Sequence, residues 1–366
     1  MGREFGGVFS GKTVLVTGDT GFKGAWLCLW LLRLGARVVG FAQPPDTDPS
    51  LHGLLQLDRH TQHVDGDVRD AGAVRRVFDE FRPEFVFHLA AQSLVRRSYG
   101  DPVETFSTNV MGTVHLLDAA RRSAPTRVVI IITSDKVYQN REWEFAYREN
   151  DALGGLDPYS ASKACAELVT QVYQQPALLG GGPVGIASVR AGNVYGGGDW
   201  ANERLIPDLV RALVRRTPIL LRHPEAVRPW QYVLEPLSGY LHLATNLYDH
   251  PAAFCGPWNF GPDAGGAVPG LALARQFVAC WGGEADLRVA EPEVGGTLHE
   301  AGLLRLDWTK AATQLGWRPV WPLLEGIRET VAWYQASNRG AVTLEQSLGC
   351  IERFTAAARE WGARWM

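Results

Sequence analysis

Short apolar segments alternate with longer segments of helical periodicity through about residue 190 of the chain. The apolar segments are typical of buried strands: KTVLVT (12–17), ARVVGFA (36–42), EFVFHLAA (84–91), RVVIII (127–132) and VGIASVRAGNVYG (184–196). Helical patterns such as VETFSTNVMGTVHLLDAARR (103–122) and PYSASKACAELVTQVYQQ (158–175) lie between them. Alternation at this spacing predicts βαβ units and an α/β fold with a doubly wound parallel sheet.

The pattern becomes less regular after GNVYGGGDW (192–200), where helices such as ERLIPDLVRALVRR (203–216) are separated by short strands. No internal repeat and no low-complexity linker separates this part from the first. We therefore expect a smaller, mostly C-terminal α/β region that packs on the doubly wound domain and binds a ligand with it. The boundaries predicted are 1–190 and 191–366, with some later segments returning to the first domain.

Composition narrows the class of protein. Charged residues make up 20% of the 366 residues and the net charge is −3, whereas a nucleic-acid-binding protein usually has a basic excess. No stretch approaches the roughly 18 apolar residues of a membrane span, and the N-terminus lacks a signal-peptide core. Five cysteines lie far apart without a CxxC pair, which argues against a zinc site or a disulfide framework. We expect a cytoplasmic protein without a bound metal.

A glycine-rich turn, GDTGFKG (Gly18–Gly24), follows the first predicted strand and begins the first predicted helix. Glycines let the backbone approach a pyrophosphate, and the helix N-terminus offers unpaired N–H groups to it. We therefore predict a dinucleotide loop and a Rossmann domain, with contacts from Gly18, Gly21, Phe22, Lys23 and Gly24.

The segment after the second strand bears on which dinucleotide binds. Residues 38–58 contain no Arg or Lys and include Asp46 and Asp48, so a 2′-phosphate has no cationic partner there. NAD is therefore favoured over NADP. Gln43 stands where an acidic residue for the ribose is expected.

Two further motifs bring titratable groups to the predicted sheet edge. Tyr159 and Lys163 in YSASK lie four residues apart and share a helix face. A nearby ammonium favours the phenolate and lowers the pKa of a tyrosine, which would make Tyr159 a general base. Ser134, Asp135 and Lys136 follow the strand RVVIII directly, at the end of a strand where ligands bind in open α/β sheets.

Together TGDTGFKG, HLAAQ, TSDKVY and YSASK resemble the extended short-chain dehydrogenases/reductases of the sugar-nucleotide group. SLVRRSY, YRENDALGGLDPYSASKACAEL, RAGNVYGGGDWANERLIPD and RPWQYVLEPL narrow the resemblance to the 4,6-dehydratases of CDP-glucose. The likeness runs from about residue 12 to residue 335. Dehydratases of dTDP-glucose usually have DE where this chain has DK.

The resemblance implies a lyase that makes a CDP-4-keto-6-deoxyglucose for deoxysugar biosynthesis. Tyr159, assisted by Lys163, would take the C4 hydroxyl proton as NAD takes the C4 hydride, and Ser134 would bond the C4 oxygen. Asp135 would protonate the departing C6 hydroxyl. Lys136 occupies the position of the C5 base, and it either acts as that base or stays charged and stabilises the enolate. These roles require burial to push Asp135, and Lys136 if it is the base, towards neutrality.

The resemblance also implies the remaining contacts. Further residues expected to contact the cofactor are Asp67, Val68, Leu89, Ala90 and Ala91. Residues expected to contact the nucleotide sugar are Asn193, Arg204, Arg228 and His299. Asp19 departs from the pattern, since relatives have His there, and its carboxylate would repel a pyrophosphate unless it points away.

Other functions stay open at this stage. A sugar-nucleotide epimerase on the same fold would need no acid–base pair for elimination, and a dTDP-glucose dehydratase would differ only in its nucleotide. A catalytically silent regulator that binds NAD or a nucleotide sugar is a third possibility. The helix near 158–178 has more apolar surface than one core requires, and the resemblance implies that it pairs with the helix near 103–122 across a two-fold axis. We therefore expect a homodimer or a homotetramer, with neither a nucleic acid nor a membrane as partner.

Overall fold

A computed structural model describes residues 4–179, 184–282, 285–290, 302–341 and 343–366. Its strands in these ranges are β1 (Thr13–Thr17), β2 (Arg37–Ala42), β3 (Gln62–Asp65), β4 (Phe85–His88), β5 (Val128–Ile132), β6 (Gly185–Ala191), β7 (Asn193–Tyr195), β8 (Ile219–Leu221), β9 (Val227–Tyr232), β10 (Gly256–Phe260), β11 (Ala267–Pro269) and β12 (Leu287–Val289).

The α-helices of the same ranges run from the glycine-rich turn to the end of the chain. They are α1 (Phe22–Arg33), α2 (Leu51–Leu54), α3 (Ala71–Phe81), α4 (Val95–Gly100), α5 (Pro102–Phe106), α6 (Gly112–Arg122), α7 (Pro158–Tyr173), α8 (Pro176–Leu179), α9 (Leu205–Arg215), α10 (Leu234–Asp249), α11 (Pro251–Phe254), α12 (Gly270–Trp281), α13 (Leu323–Asn338) and α14 (Leu344–Glu360). Among the described residues, no helix is long and apolar enough to cross a membrane.

Seven strands form one parallel sheet in the order β10-β6-β5-β4-β1-β2-β3. Chain order reverses between β1 and β4, which is the switch point of a doubly wound sheet. The predicted α/β fold with a Rossmann sheet is therefore confirmed. Two small sheets, β11-β9-β7 and β12-β8, lie outside it.

The sheet is buried on both faces, as the apolar runs of its strands predict. All five residues of β5 are buried, and they alternate between two cores. Val128, Ile130 and Ile132 pack with the first core, while Val129 and Ile131 pack with the second. This alternation follows from the two-residue period of a strand. The sheet therefore has little freedom to move, and its carboxyl edge is a rigid base for a site.

Strand β10 comes from beyond residue 190 and pairs with β6 at the edge of the sheet. Its Trp258 and Phe260 are fully buried in the first core. Helix α14 packs against α1 and buries Phe354 in that core. The second half of the chain therefore shares its hydrophobic core with the first.

The predicted helix over 103–122 is interrupted by a π-helical turn at Ser107–Met111, between α5 and α6. This turn directs Asn109 inward, where its Nδ2 donates to Ser162 Oγ at 2.8 Å and its Oδ1 accepts from Gln92 N at 2.9 Å. π-Turns inside helices are frequently found at functional sites. Here the hydrogen bond from Asn109 to Ser162 connects the π-helical turn to α7.

Candidate active site

A cavity of about 1230 Å³ opens along the carboxyl ends of the parallel strands and extends towards α9 and β9. It is larger than the roughly 300–1,000 Å³ of an ordinary small-molecule pocket. All the predicted catalytic and cofactor residues line it, together with Asn193, Arg204 and Arg228. His299 lies outside the described residues.

The glycine-rich turn leaves its backbone open to the cavity. Gly18 has φ +73°, and a Cβ there would lie 2.7 Å from the Ala90 nitrogen. A Cβ on Gly24 would lie 2.0 Å from the Gly18 oxygen. Helix α1 begins just after Gly21, and no side chain caps it. The first N–H groups of α1 are therefore available to a diphosphate, so this turn fits a dinucleotide cofactor.

The end of β3 supplies the polar groups at the nucleoside end of the turn. Asp67 Oδ2 accepts a hydrogen bond from Gln43 Nε2 at 3.0 Å. Arg69 donates to the same carboxylate and lowers the pKa of Asp67. Thr20 Oγ1 donates to the Gln43 carbonyl at 3.0 Å. Gln43 therefore links the glycine-rich turn to Asp67, although the acidic residue usual at its position is absent.

Asp19 points away from the cavity, beneath the glycine-rich turn. Its side chain is 1% exposed and lies over Gly40, where any Cβ would fall 2.0 Å from Asp19 Oδ2. Burial raises the pKa of Asp19, but the neighbouring imidazoles of His52 and His63 outweigh burial and leave that pKa lowered. The distance from Asp19 Oδ2 to His63 Nδ1 is 2.7 Å. The carboxylate therefore does not face a diphosphate bound at the turn.

Tyr159 and Lys163 lie one turn apart near the start of α7. Asp157 caps this helix by accepting from Ser160 N, and Pro158 occupies its first position, as is common at helix starts. Tyr159 is 8% exposed, and burial raises its pKa to about 12, although hydrogen bonding with Ser134 lowers it. Burial also lowers the pKa of Lys163 to about 8.

The sequence-based expectation that Lys163 lowers the pKa of Tyr159 is not met in this structure. Lys163 Nζ donates instead to the carbonyl of Ile132, the last residue of β5, at 3.1 Å. Its charge is therefore held against the strand end, and desolvation of the phenol dominates. The lysine fixes the relative position of α7 and β5.

Ser134, Asp135 and Lys136 form a tight turn directly after β5. Ser134 Oγ donates to Asp135 Oδ1 at 3.1 Å and accepts from Lys136 N at 3.2 Å. The other carboxyl oxygen, Asp135 Oδ2, is buried and has no hydrogen-bond partner among the residues that the structure describes. Burial raises the pKa of Asp135 and outweighs the opposing charges of Lys136 and Arg228. The expectation that burial favours the neutral acid is confirmed in direction.

The far end of the cavity is cationic. Arg204 donates to Asp199 Oδ2 at 3.2 Å and to Ser93 Oγ at 3.1 Å. Arg228 is 3% exposed and donates to the Val227 carbonyl at 3.1 Å. Lys23, at the start of α1, adds a third basic side chain to the cavity, and burial together with the charges of Lys163 and Arg204 lowers its pKa to about 7. Such a concentration of positive charge suits a negatively charged ligand.

Sequence reasoning missed a buried ion pair behind the catalytic turn. Glu167 and Arg190 are both fully buried, with Arg190 Nη2 2.8 Å from Glu167 Oε2. Thr133 Oγ1, next to Ser134, donates to Glu167 Oε1 at 2.5 Å. Glu167 lies four residues after Lys163, and its charge partly opposes the lowering of the lysine pKa by burial. The sequence contained a signal for Glu167, because Tyr159, Lys163 and Glu167 are spaced four residues apart and therefore share one face of the helix.

Comparison with known proteins places this chain among nucleotide-sugar enzymes. The family described as GDP-mannose 4,6 dehydratase matches residues 15–250. A CDP-glucose 4,6-dehydratase of Salmonella typhimurium is 48% identical over 349 residues, which cover 94% of this chain and 95% of that protein. This chain belongs to the GDP-mannose 4,6-dehydratase family of extended short-chain dehydrogenases/reductases. It is an enzyme of the lyase class, and NAD is its cofactor.

Solved structures of relatives agree with this assignment. A dTDP-glucose 4,6-dehydratase from Streptomyces venezuelae, solved with NAD, superposes with a TM-score of 0.76 at 26% identity, over 90% of this chain and 98% of that one. A UDP-glucose 4-epimerase from Thermus thermophilus, also solved with NAD, superposes with a TM-score of 0.74 at 27% identity, over 90% and 100% of the two chains. The fold is therefore common to dehydratases and epimerases. The two activities have to be distinguished by the side chains of the site.

Proposed function

We propose that this protein is a CDP-glucose 4,6-dehydratase, which converts CDP-glucose to CDP-4-keto-6-deoxyglucose for deoxysugar biosynthesis. Support for the substrate comes from the 48% identity to the Salmonella dehydratase over nearly the whole of both chains. Support for the reaction comes from the combination of Tyr159 and Lys163, which would serve the oxidation of C4 by NAD, with a separate carboxylic acid, Asp135.

The acid is the observation that carries the proposal. An epimerase has only to oxidise and reduce C4, whereas a dehydratase must also protonate a hydroxyl that leaves as water. Asp135 Oδ2 is buried without a partner, and burial raises the pKa of this carboxyl. A carboxyl in this state can donate a proton to a substrate oxygen, as carboxylic acids in apolar sites do in other enzymes.

The chain's own groups account for the proton movements. Tyr159, as the phenolate that the positive charge of bound NAD would favour, removes the C4 hydroxyl proton, while Ser134 orients the C4 oxygen from the adjacent turn. The resulting C4 ketone acidifies the C5 proton, and its removal expels the C6 hydroxyl, which leaves as water with the proton of Asp135. A proton then returns to C5, so the net change is the loss of one water. Bound NAD supplies the hydride acceptor for C4 and the hydride donor for C6.

Lys136 is the group we assign to C5, in one of two roles. As a neutral amine it would remove the C5 proton directly; as an ammonium it would stabilise the enolate, with water or another group as base. Lys136 is half-buried and follows Asp135 directly, so it can approach the same part of a sugar. The two roles predict different behaviour of a Lys136→Arg variant.

The cofactor and the nucleotide sugar would share the large cavity. Gly18, Gly21, Phe22, Lys23 and Gly24 would hold the diphosphate of NAD. Asp67, Val68, Leu89, Ala90 and Ala91 would line its adenosine and ribose positions. Asn193, Arg204, Arg228 and His299 would bind the nucleotide sugar. We therefore propose residues 1–190 as the NAD-binding region, with later segments such as Gly256–Phe260 returning to it, and 191–366 as the substrate-binding region.

The decisive experiment is to incubate the purified protein separately with CDP-glucose, dTDP-glucose and UDP-glucose and to analyse the products. We expect a 4-keto-6-deoxy product from CDP-glucose, with no net accumulation of NADH. Substrate deuterated at C4 should give product labelled at C6. A C4 epimer as product would show that the protein is an epimerase. A preference for dTDP-glucose would contradict the proposal that CDP-glucose is the substrate.

We also propose that the protein forms at least a homodimer through α5 to α7. Large apolar side chains are exposed on these helices: Val103, Phe106, Met111, Leu168 and Val172, which are 37–77% exposed. An exposed apolar surface of this kind is typical of an interface. Light scattering at micromolar concentration should give at least twice the 40.2 kDa chain mass. A species of one chain only would contradict this proposal, and Leu168→Glu should weaken the assembly.

We propose a cytoplasmic location, in which the protein contacts neither nucleic acid nor membrane. All five cysteines are free in the structure, in keeping with a reducing compartment. Fractionation of cells that express the protein, with a cytosolic marker enzyme as control, tests this location.

A further inference from the structure

A cluster of metal-binding residue types lies beneath the glycine-rich turn, outside the catalytic cavity. Asp19 follows β1, His52 lies on α2 and His63 lies on β3. One ligand atom from each of the three side chains lies within 4.8 Å of the other two. Histidine nitrogen and carboxylate oxygen are ordinary ligands of zinc. The reaction described above uses none of these side chains.

Two atoms of the cluster are buried and lack a hydrogen bond. They are Asp19 Oδ1 and His52 Nε2, in side chains that are 1% and 5% exposed. His52 Nε2 lies 3.6 Å from Asp19 Oδ2 and 3.4 Å from Asp58 Oδ1 and forms a hydrogen bond with neither. Buried polar atoms are paired in more than about 90% of cases. Two such atoms on facing side chains therefore point to a missing partner between them.

The spacing of the cluster suits a tetrahedral ion. With bonds of about 2.0–2.2 Å, the ligand atoms of a tetrahedral zinc are about 3.3–3.6 Å apart. The distances from His52 Nε2 to the two carboxylates fall near this range. Asp19 Oδ2 and His63 Nδ1, at 2.7 Å, would separate by less than about 1 Å. Asp58 or a water would complete four ligands.

A second carboxylate stands behind one of the histidines. His63 Nε2 lies 3.3 Å from Asp65 Oδ1, on the side of the ring opposite Asp19. In metal sites the ligating histidine commonly donates its other ring N–H to a carboxylate, which fixes its tautomer and orientation. Asp19, His63 and Asp65 therefore reproduce the arrangement of a metal ligand and its supporting group.

We propose that Asp19, His52 and His63 bind a divalent transition-metal ion of the zinc type, with Asp65 supporting His63. The ion joins the glycine-rich turn to α2 and β3. Because Asp19 lies between Gly18 and Thr20, the ion fixes the backbone that approaches the cofactor. Its role is structural, since the site lies outside the cavity in which the sugar reacts.

Metal analysis of the purified full-length chain tests the site. The protein, carrying no polyhistidine tag, is stripped with a chelator and dialysed against micromolar free Zn²⁺, and bound zinc is measured by mass spectrometry. We expect one zinc per chain and a higher melting temperature than in the stripped protein. Stripped protein loaded with Co²⁺ should show visible absorption bands of a tetrahedral ion.

Variants of the cluster provide the second arm. His52→Gln and His63→Gln should lose the bound zinc, and Asp65→Asn should weaken zinc affinity by about 10–100-fold. His60→Gln is the matched control, because His60 is exposed on the same segment, and it should bind zinc as the unaltered chain does. Asp65 is on the surface, so its variant stays informative even where a histidine variant fails to fold. No retained zinc, or zinc affinity unchanged in Asp65→Asn and His52→Gln, would overturn the proposal.

Discussion

Two buried aspartates at the carboxyl edge of the sheet, after strands that are separated by β4, illustrate how the molecule separates stability from chemistry. Asp19 follows β1 and Asp135 follows β5, and their side chains are 1% and 2% exposed. The pKa of Asp19 is lowered, whereas that of Asp135 is raised. Nearly equal burial therefore leads to opposite protonation preferences.

The difference lies in what bonds each carboxylate. Asp19 Oδ2 is 2.7 Å from His63 and 3.6 Å from His52, and both imidazoles favour the charged form of the carboxyl. The side-chain donor to Asp135 Oδ1 among the described residues is the neutral hydroxyl of Ser134, and Lys136 and Arg228 act on the carboxyl through their charges. Desolvation wins when no charged donor bonds the group. A buried acid is thus a candidate for catalysis when its hydrogen-bond partners are neutral.

The largest expected effect is the loss of turnover in Asp135→Asn. Asparagine keeps the size of the side chain but cannot donate an acidic proton, so turnover of CDP-glucose should fall about 10²–10⁴-fold. Oxidation at C4 depends on Tyr159 and should survive. Because the reaction then stops before the hydride returns to C6, NADH should stay bound. Absorbance at the NADH wavelength in stopped flow measures this step. Normal turnover in Asp135→Asn would remove Asp135 from the mechanism.

A Lys136 series distinguishes the two roles proposed for that residue. Lys136→Ala removes both charge and basicity, so turnover should fall about 10²–10⁴-fold if the amine is the C5 base, and exchange of the C5 proton with solvent should slow. Lys136→Arg keeps the charge but cannot deprotonate. Near-normal turnover and C5 exchange in the arginine variant would assign the residue to charge stabilisation. Turnover as low as in the alanine variant would assign it as the base.

Asp19→Asn should affect stability more than chemistry. Removing one partner from a buried ion pair costs about 3–5 kcal/mol, so the free energy of unfolding should fall by roughly that amount in urea denaturation with a chelator present. Asp65→Asn is the control, because Asp65 is 79% exposed, and exposed pairs contribute about 0–1 kcal/mol. Equal stability of the two variants would mean that the buried pair contributes no more than a surface one.

The smallest expected effect is a shift in the pH dependence of turnover. Asp135 donates in its protonated form, so turnover is present below its pKa and lost as pH rises through it. That pKa is raised above 3.8 by burial and opposed by the charge of Lys136. If Lys136 is the charged stabiliser, Lys136→Met removes the opposing charge and should move the alkaline limb of the remaining turnover to higher pH, by less than about one unit. A limb that moves to lower pH would show that another group titrates.

The fold was predictable because its signals are local and repeated. Strand–helix alternation located β1, β2, β4, β5 and β6, and a glycine-rich turn located the start of α1. The π-helical turn at Ser107–Met111 carries no such signal, since it depends on Asn109 bonding to Gln92 and Ser162, which are distant in the chain. Helical periodicity cannot reveal an extra residue that tertiary contacts stabilise.

The candidate site was predictable as a set of residues but not in its electrostatics. The i, i+4 spacing and the strand-end location brought Tyr159, Lys163 and Asp135 to one cavity. The pKa of Tyr159 depends on burial and on the direction of Lys163, which bonds Ile132 O. Likewise, only the space above Gly40 allows Asp19 to turn away from the glycine-rich turn. The direction in which each of these side chains points depends on packing between distant segments, and the sequence alone does not reveal how those segments are arranged in space.

The position of β10 has a consequence for attempts to exchange parts between related enzymes. A fragment that ends near residue 190 would leave β6 as an open edge strand, its unpaired N–H and C=O groups available for aggregation. Tyr138 would also lose Asn259, whose Oδ1 accepts from the Tyr138 hydroxyl at 2.7 Å. A chimera that takes its cofactor-binding half from this chain therefore has to take Gly256–Phe260 as well. The functional unit for recombination is discontinuous in sequence, and a single crossover point would divide it.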